Sequence, residues 1–236
     1  MCVVLELGLT EYQEAYKLQR TLQHQRVEGK ISDVLLLLEH PPTITVGKSG
    51  SLENVLVSRE QLVKQGISLF FIDRGGDVTY HGPGQLVGYP IVDLRQREKD
   101  LHCYVRNLEE VILRTLNDFS IDGERDESHS GVWVNGEEIA SIGLSVRKWV
   151  SMHGFALNIN VDLQRFSLIN PCGFSDRGAT SMSKILGTDV PIEEVTKSLI
   201  SHFCDVFDSP KIPHCDLLFG SIIQKPPTLF APPFDL

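Results

Sequence analysis

The sequence predicts an α+β fold, a single domain of mixed β-sheets flanked by helices, on three observations. Asp33 to Glu39 holds four consecutive leucines, the mark of a strand buried on both faces. Asn135-Gly136 joins two β-rich runs, Gly131 to Val134 and Glu137 to Val146, and Asn-Gly is the strongest short-range signal for a type I′ hairpin. Leu101, Tyr104, Val105, Leu108, Val111, Ile112 and Leu116 fall on one stripe of an amphipathic helix from about Asp100 to Phe119. The 236 residues can bury a sizeable core, and no repeat, low-complexity run or convincing internal boundary divides them.

The remaining elements follow in order. Val3 to Leu7 reads as a strand, and Thr10-Glu-Tyr-Gln13 fits a capping box before a helix running to Gly29. His40-Pro-Pro42 interrupts the leucine strand, and Thr43 to Val46 resumes before a Gly47-Lys-Ser-Gly50 turn that lacks the full spacing of a phosphate loop. Ser58-Arg-Glu-Gln61 is a second capping box, for a short helix that stops at Gly66. Trp149 to Asn160 reads as another strand, and a helix spans about Pro191 to Phe207 with Val195, Leu199, Ile200 and Phe203 inward. Alternation along the second hairpin strand places Glu138 with Ala140, Ile142, Leu144 and Val146, an odd position for a carboxylate. Residues 1–208 thus form the domain, and 209–236 a proline-rich irregular tail lying on it.

Composition narrows the function. A formal net charge of −9 argues against nucleic acid as the main partner. The longest apolar run, Val34 to Leu38, is far short of a membrane span, and the first residues resemble neither a signal peptide nor a transit sequence, so the expected compartment is the cytosol. Five scattered cysteines without a C-x-x-C pair argue against disulfides or a zinc site, and for reduced thiols.

Two segments carry chemistry. Between Arg74 and Pro90 lie five glycines and two prolines, with Arg74, Thr79, Tyr80, His81 and Gln85 among them as donors and acceptors. Glycine permits close approach of the backbone and proline stiffens it, so this stretch reads as a rigid polar loop between two strands, a cradle under a small group. Cys172, between Pro171 and Gly173, occupies a turn, where a thiol is accessible and can be held in one orientation.

Arg74-Gly-Gly-Asp-Val-Thr-Tyr-His-Gly-Pro-Gly-Gln85 is close to a signature. Together with Pro42 to Gly47, Gly131 to Val134, His153 to Asn158 and Asn170-Pro-Cys-Gly173, it gives the chain a resemblance to the lipoyl(octanoyl) transferases of lipoate biosynthesis, from about Leu7 to Phe207. The resemblance implies the biotin/lipoate protein ligase fold and a monomer. It also implies transfer of an octanoyl group from octanoyl-acyl carrier protein to the acceptor lysine of lipoyl domains, those of 2-oxoacid dehydrogenases and of the glycine cleavage system. Matched by position, Cys172 is the nucleophile carrying the acyl thioester. The acyl group is lined by Arg74, Gly75, Gly76, Asp77, Val78, Thr79, Tyr80 and His81, by Ser141, Ile142 and Gly143, and by Gly154, Phe155 and Ala156. His81 and His153 are candidates for proton transfer, with a structural role an equal alternative for each. No metal or redox cofactor is required, and covalent catalysis dispenses with ATP.

One departure stands out. Where the family has a lysine that lowers the pKa of the catalytic thiol, this chain has Glu138. Two unit charges ~4 Å apart interact by about 4 kcal/mol at an effective dielectric near 20, so the exchange reverses a large effect. Three accounts stay open: a protonated, buried Glu138 with a histidine activating the thiol; another cation, Lys148 or Lys184, reaching the site; or an inactive chain that keeps the acyl pocket as an acyl- or lipoyl-domain-binding protein. An ATP-dependent lipoate ligase is a weaker reading, because no segment matches for nucleotide activation.

Overall fold

The computed structural model describes residues 2–97, 99–170 and 178–208, and the backbone of 211–212; Cys172 and the rest of its turn lie outside the described residues. The strands are β1 (Cys2–Leu9), β2 (Asp33–Glu39), β3 (Thr43–Val46), β4 (Ser68–Phe71), β5 (Val78–His81), β6 (Gln85–Ile91), β7 (Gly131–Val134), β8 (Glu137–Arg147), β9 (Val150–Asn158) and β10 (Lys211–Ile212). Seven form one sheet in the order β10-β1-β2-β6-β9-β8-β7, and three form a smaller one, β4-β3-β5. Parallel pairing of β1 with β2 and β10, and antiparallel pairing from β2 through β7, make the large sheet mixed.

The leucine strand is buried on both faces, as its composition requires. Leu35 and Leu37 of β2 pack toward α3 (Leu101–Asp118) and α5 (Ile192–Val206), among Leu108, Ile112, Leu199 and Phe203. Leu36 and Leu38 point the other way, toward α1 (Tyr12–Val27), with Ala15 and Leu22. Each such leucine contributes about 1.5–3 kcal/mol by burial. A third cluster, Ile44, Val46, Leu62, Val78, Tyr80 and Ile169, joins the small sheet to α2 (Arg59–Lys64). The Ser58 capping box forms in full, and α4 (Met182–Leu186) is an added short helix ending at Gly187 in the left-handed conformation. Among the described residues no helix is long and apolar enough to cross a membrane.

The structure corrects four expectations. Thr10 does not cap α1, which starts at Tyr12 after Glu11, and the Thr10 hydroxyl donates to the Leu7 carbonyl instead. The glycine-rich stretch is not one loop. Its polar centre is strand β5 and its end is the buried strand β6, with glycines confined to the bends and to Gly88, where a β-carbon would collide with the Phe155 ring. The span assigned to the tail contributes β10, which extends the large sheet parallel to β1.

The fourth concerns Glu138. Gly131 pairs with Ser141 and Val132 with Ala140, but Trp133 pairs with Glu138, so Ile139 is an extra residue in β8. A β-bulge reverses the alternation beyond it. Ile139 and Ala140 both enter the core, and Glu138 turns to the face of Ser141.

Candidate active site

The segment 72–77 folds back from the small sheet onto the large one. Gly75 N–H donates to the Leu144 carbonyl at 2.8 Å. Arg74 is buried and donates from Nη2 to the Thr45 carbonyl at 3.0 Å and the Thr45 hydroxyl at 3.1 Å, which fixes the segment to β3. Gly143 leaves the room this needs, since a β-carbon there would lie 3.0 Å from both Arg74 Cδ and the Gly75 oxygen.

Between the two sheets lies a cavity of about 90 Å³. Arg74, Gly75, Gly76, Asp77, Val78, Thr79 and His81 line one side, and Ser141, Ile142, Gly143, Gly154, Phe155 and Ala156 the other. A second cavity of about 340 Å³ adjoins it, sharing Gly75, Gly76, Ser130, Glu138, Ile142 and Gly143, and adds apolar surface from Trp133, Leu144 and Phe166. Tyr80, expected among the lining residues, is turned away. Alternation along β5 sends its ring to Phe166, 5.6 Å between centroids in a T-shaped contact.

Sequence reasoning missed Tyr12, Ile72, Val87, Tyr89 and Ser130, which also line the first cavity. It missed Asp73 too, whose carboxylate organises His153. Tyr12 lies on the buried face of α1 with Ala15, Gln19 and Leu22, and only tertiary packing brings that face to the cavity.

The two histidines are held differently. Gln85 donates from Nε2 to the Tyr80 carbonyl (3.1 Å) and to Asn158 Oδ1 (2.9 Å), so its Oε1 accepts from His81 Nδ1 at 2.8 Å. Burial pushes His81 down to about 3, and it is a neutral imidazole. His153 adopts a φ of 60°, left-handed backbone that costs ~1–3 kcal/mol in a non-glycine residue. Its N–H donates to Gln19 Oε1 and its Nε2 lies 2.9 Å from Asp73 Oδ1. Burial lowers the pKa of His153 although Asp73 opposes this, while the hydrogen bond from His153 takes Asp73 down to about 2. The two shifts agree on one state: a neutral imidazole donating its N–H to a carboxylate.

Glu138 is held differently from the two histidines. It lines both cavities, and its carboxyl makes no hydrogen bond to the described residues. Burial of that carboxyl raises its pKa to about 7, against the opposing charge of Arg74. Lys148 and Lys184 do not answer it. Lys148 sits at the far β8–β9 turn, and Lys184 Nζ pairs with both carboxylate oxygens of Glu137, at 2.9 and 2.7 Å.

The described residues on either side of 171–177 are tied to this site. Upstream, Asn170 N–H donates to the Asn54 carbonyl at 2.8 Å, and the Asn54 amide donates to Asp77. Downstream, Glu138 N–H donates to the Gly178 carbonyl and Thr180 N–H to the Glu138 carbonyl, both at 2.9 Å. Asn158 then links the Thr180 carbonyl (3.0 Å) to Gln85 and so to His81. The residues that flank 171–177 are therefore held at one wall of the cavity and at Glu138. Among the described residues no cluster of three metal-ligating side chains forms.

Residues 11–204 match the family model of the lipoyl protein ligase A/B catalytic domain. A protein called octanoyltransferase from Caldicellulosiruptor bescii is 51% identical over 210 residues, 88% of this chain and 92% of that one. Another of that name, from Desulforamulus reducens, is 46% identical across 87% and 90% of the two chains. Among solved structures, a lipoate-protein ligase A bound with ATP superposes with a TM-score of 0.74 at 17% identity, covering 92% of this chain and 90% of that one. The biotin protein ligase of Aquifex aeolicus gives 0.51 at 14% identity, over 86% and 69%. At such identities the structures establish the fold alone.

Proposed function

The chain belongs to the lipoyl protein ligase A/B catalytic-domain family, and from that premise we propose that it moves an octanoyl group from octanoyl-acyl carrier protein to the acceptor lysine of lipoyl domains through a thioester on Cys172. It is an acyltransferase of protein lipoylation. The acceptors under this reading are the lipoyl domains of 2-oxoacid dehydrogenases and of the glycine cleavage protein, and the enzyme acts as a cytosolic monomer without ATP or metal.

The observation that supports the reading is that the residues flanking 171–177 are tied beside the cavity, Asn170 through Asn54 to Asp77 and Gly178 to Glu138. The chemistry runs in two exchanges. The Cys172 sulfur attacks the carbonyl carbon of the donor thioester, its proton passing to the Glu138 carboxylate. The carrier's C–S bond breaks, and the carrier thiolate takes that proton back from Glu138. The neutral lysine amine of the lipoyl domain then attacks the acyl-cysteine carbonyl, a C–N bond forms, and the bond to Cys172 breaks. Glu138 receives the amine proton and returns it to the leaving sulfur.

Glu138 suits this shuttle because burial holds it near neutrality, where both protonation states are accessible at working pH. A fixed anion would raise the thiol pKa, whereas a carboxyl that accepts the thiol's own proton avoids that penalty. His81, held near 3, is a poor base and acts through Gln85 and Asn158 to position the wall beside Thr180. Asp73 orients His153.

Intact-protein mass spectrometry after mixing with octanoyl-acyl carrier protein tests the thioester. The expected result is a gain of one octanoyl group that disappears in Cys172→Ala. Full transfer by Cys172→Ala would overturn the reading.

A further inference from the structure

We infer that a basic strip on α1 and the β8–β9 turn is the docking surface for the acidic carrier of the acyl donor, an inference that rests on the octanoyltransferase reading. The chain as a whole is acidic, at −9, so a local concentration of cations calls for a reason. Lys17, Arg20 and His24 lie on one exposed stripe of α1, spaced three and four residues apart.

The buried face of α1 holds the helix against β9 and the β8–β9 turn. Gln23 Nε2 donates to the Val150 carbonyl at 2.9 Å, and Gln19 accepts the His153 N–H at 2.9 Å. At that turn Lys148 and Trp149 both adopt left-handed backbone, with φ of 51° and 64°, and Arg147, Lys148 and Trp149 are exposed. Lys148 is close enough to the end of α1 to join Lys30 and His24 in lowering the pKa of Glu28. Glu28 is thereby matched locally, by Lys30 at 2.8 Å and His24 at 3.2 Å. Lys17, Arg147 and Lys148 form no ion pair among the described residues. Cations around an exposed tryptophan have the composition of a recognition surface for an acidic partner.

The strip connects to the pocket without lining it. Arg20 Nη1 lies 3.5 Å from Asp73, the neighbour of Arg74, and Ser145 reaches the same carboxylate at 3.5 Å. From Ser145 the strand runs on two residues, or about 7 Å, to Arg147. This offset chooses between the two protein substrates. The acceptor presents its amine on one lysine side chain, so its domain must sit at the pocket mouth. The donor carries its thioester on a long flexible pantetheine arm and can dock set back from the mouth.

The test uses the triple variant Lys17→Glu, Arg147→Glu, Lys148→Glu in the full chain. It compares kcat/KM for octanoyl-carrier protein, for octanoyl-pantetheine as a small donor, and for the lipoyl-domain acceptor. In a two-exchange mechanism each constant reports its own substrate. The expected result is a loss of about tenfold or more with the carrier at low salt, a flatter salt dependence than wild type, and unchanged constants for the small donor and the acceptor. An unchanged carrier constant, a parallel loss with the small donor, or a loss confined to the acceptor would each overturn the inference. Wild-type protein that transfers from neither donor would remove the octanoyltransferase reading and this inference with it, a failure visible before any variant is compared.

Discussion

Asp93 is buried and Glu138 half-buried at the cavity wall, and their surroundings treat these two carboxylates oppositely. Asp93, at the start of the connection after β6, accepts from Arg95 at 2.8 and 2.7 Å and lies 3.5 Å from Arg26. Arg26 also binds Asp33 at 2.8 Å, and Asp33 accepts the Asp93 backbone N–H at 3.0 Å. The hydrogen bond from Arg95 holds Asp93 below its ordinary value. Glu138, on the bulge of β8, has no such partner among the described residues, and burial takes it up to about 7. A carboxylate surrounded by donors stays charged and clamps structure; one left alone in a cavity titrates where enzymes work.

The largest effect that separates the two is catalytic. Glu138→Gln keeps the shape but cannot exchange a proton, and single-turnover acyl transfer is expected to fall by about 10²–10⁴-fold. Asp93→Asn should leave that rate within a few fold. The next effect lies in stability. Asp93→Ala removes the acceptor of Arg95 and one of the two carboxylates facing buried Arg26, which keeps Asp33 at 2.8 Å, and urea unfolding should show a loss of about 1.5–3 kcal/mol.

Glu138→Gln should instead stabilise the protein at alkaline pH. The folded pKa near 7 lies above the ordinary carboxylate value of 4.5, so the folded state holds the extra proton between them. Wild-type stability therefore declines as pH rises from about 4.5 to about 7 and stays lower above. The glutamine variant should gain on the order of 1–3 kcal/mol at pH 8 and nothing at pH 4. Asp73 and Asp93 act in the other direction, contributing stability above the ordinary carboxylate range and losing it as pH falls below. The smallest effect is a baseline far from both sites. Ser58→Ala removes the α2 capping box and should cost about 1 kcal/mol at either pH, with transfer unchanged.

Much of the frame is legible in the sequence because it rests on local signals. The leucines of β2 state burial on both faces, and Asn135 and Gly136 adopt the left-handed turn their types favour, with φ of 51° and 79°. On the stripe of α3, Tyr104, Leu108, Val111, Ile112 and Leu116 pack in the core as their spacing requires, while Leu101 is exposed and Val105 borders the second cavity. What escaped depends on pairing partners. The Lys148–Trp149 turn reverses the chain with the same left-handed geometry but without glycine or asparagine, so nothing local announces it. The bulge at Ile139 exists only in the register between β7 and β8, yet it decides which way Glu138 points. Most of the named pocket residues converge, whereas Tyr80 faces away and Cys172 lies outside the described residues. Asp73 gave no signal, because its partners Tyr16 and His153 are 57 and 80 residues away along the chain.

The central claim is that Glu138 carries the proton in acyl transfer, and the pH dependence of acyl loading onto the enzyme tests it most directly. The wild-type rate should change with an apparent pKa near 7, the value burial gives the carboxyl. In Glu138→Gln that inflection should vanish along with most of the rate. A glutamine variant that loads octanoyl at the wild-type rate, with the same inflection, would contradict the account.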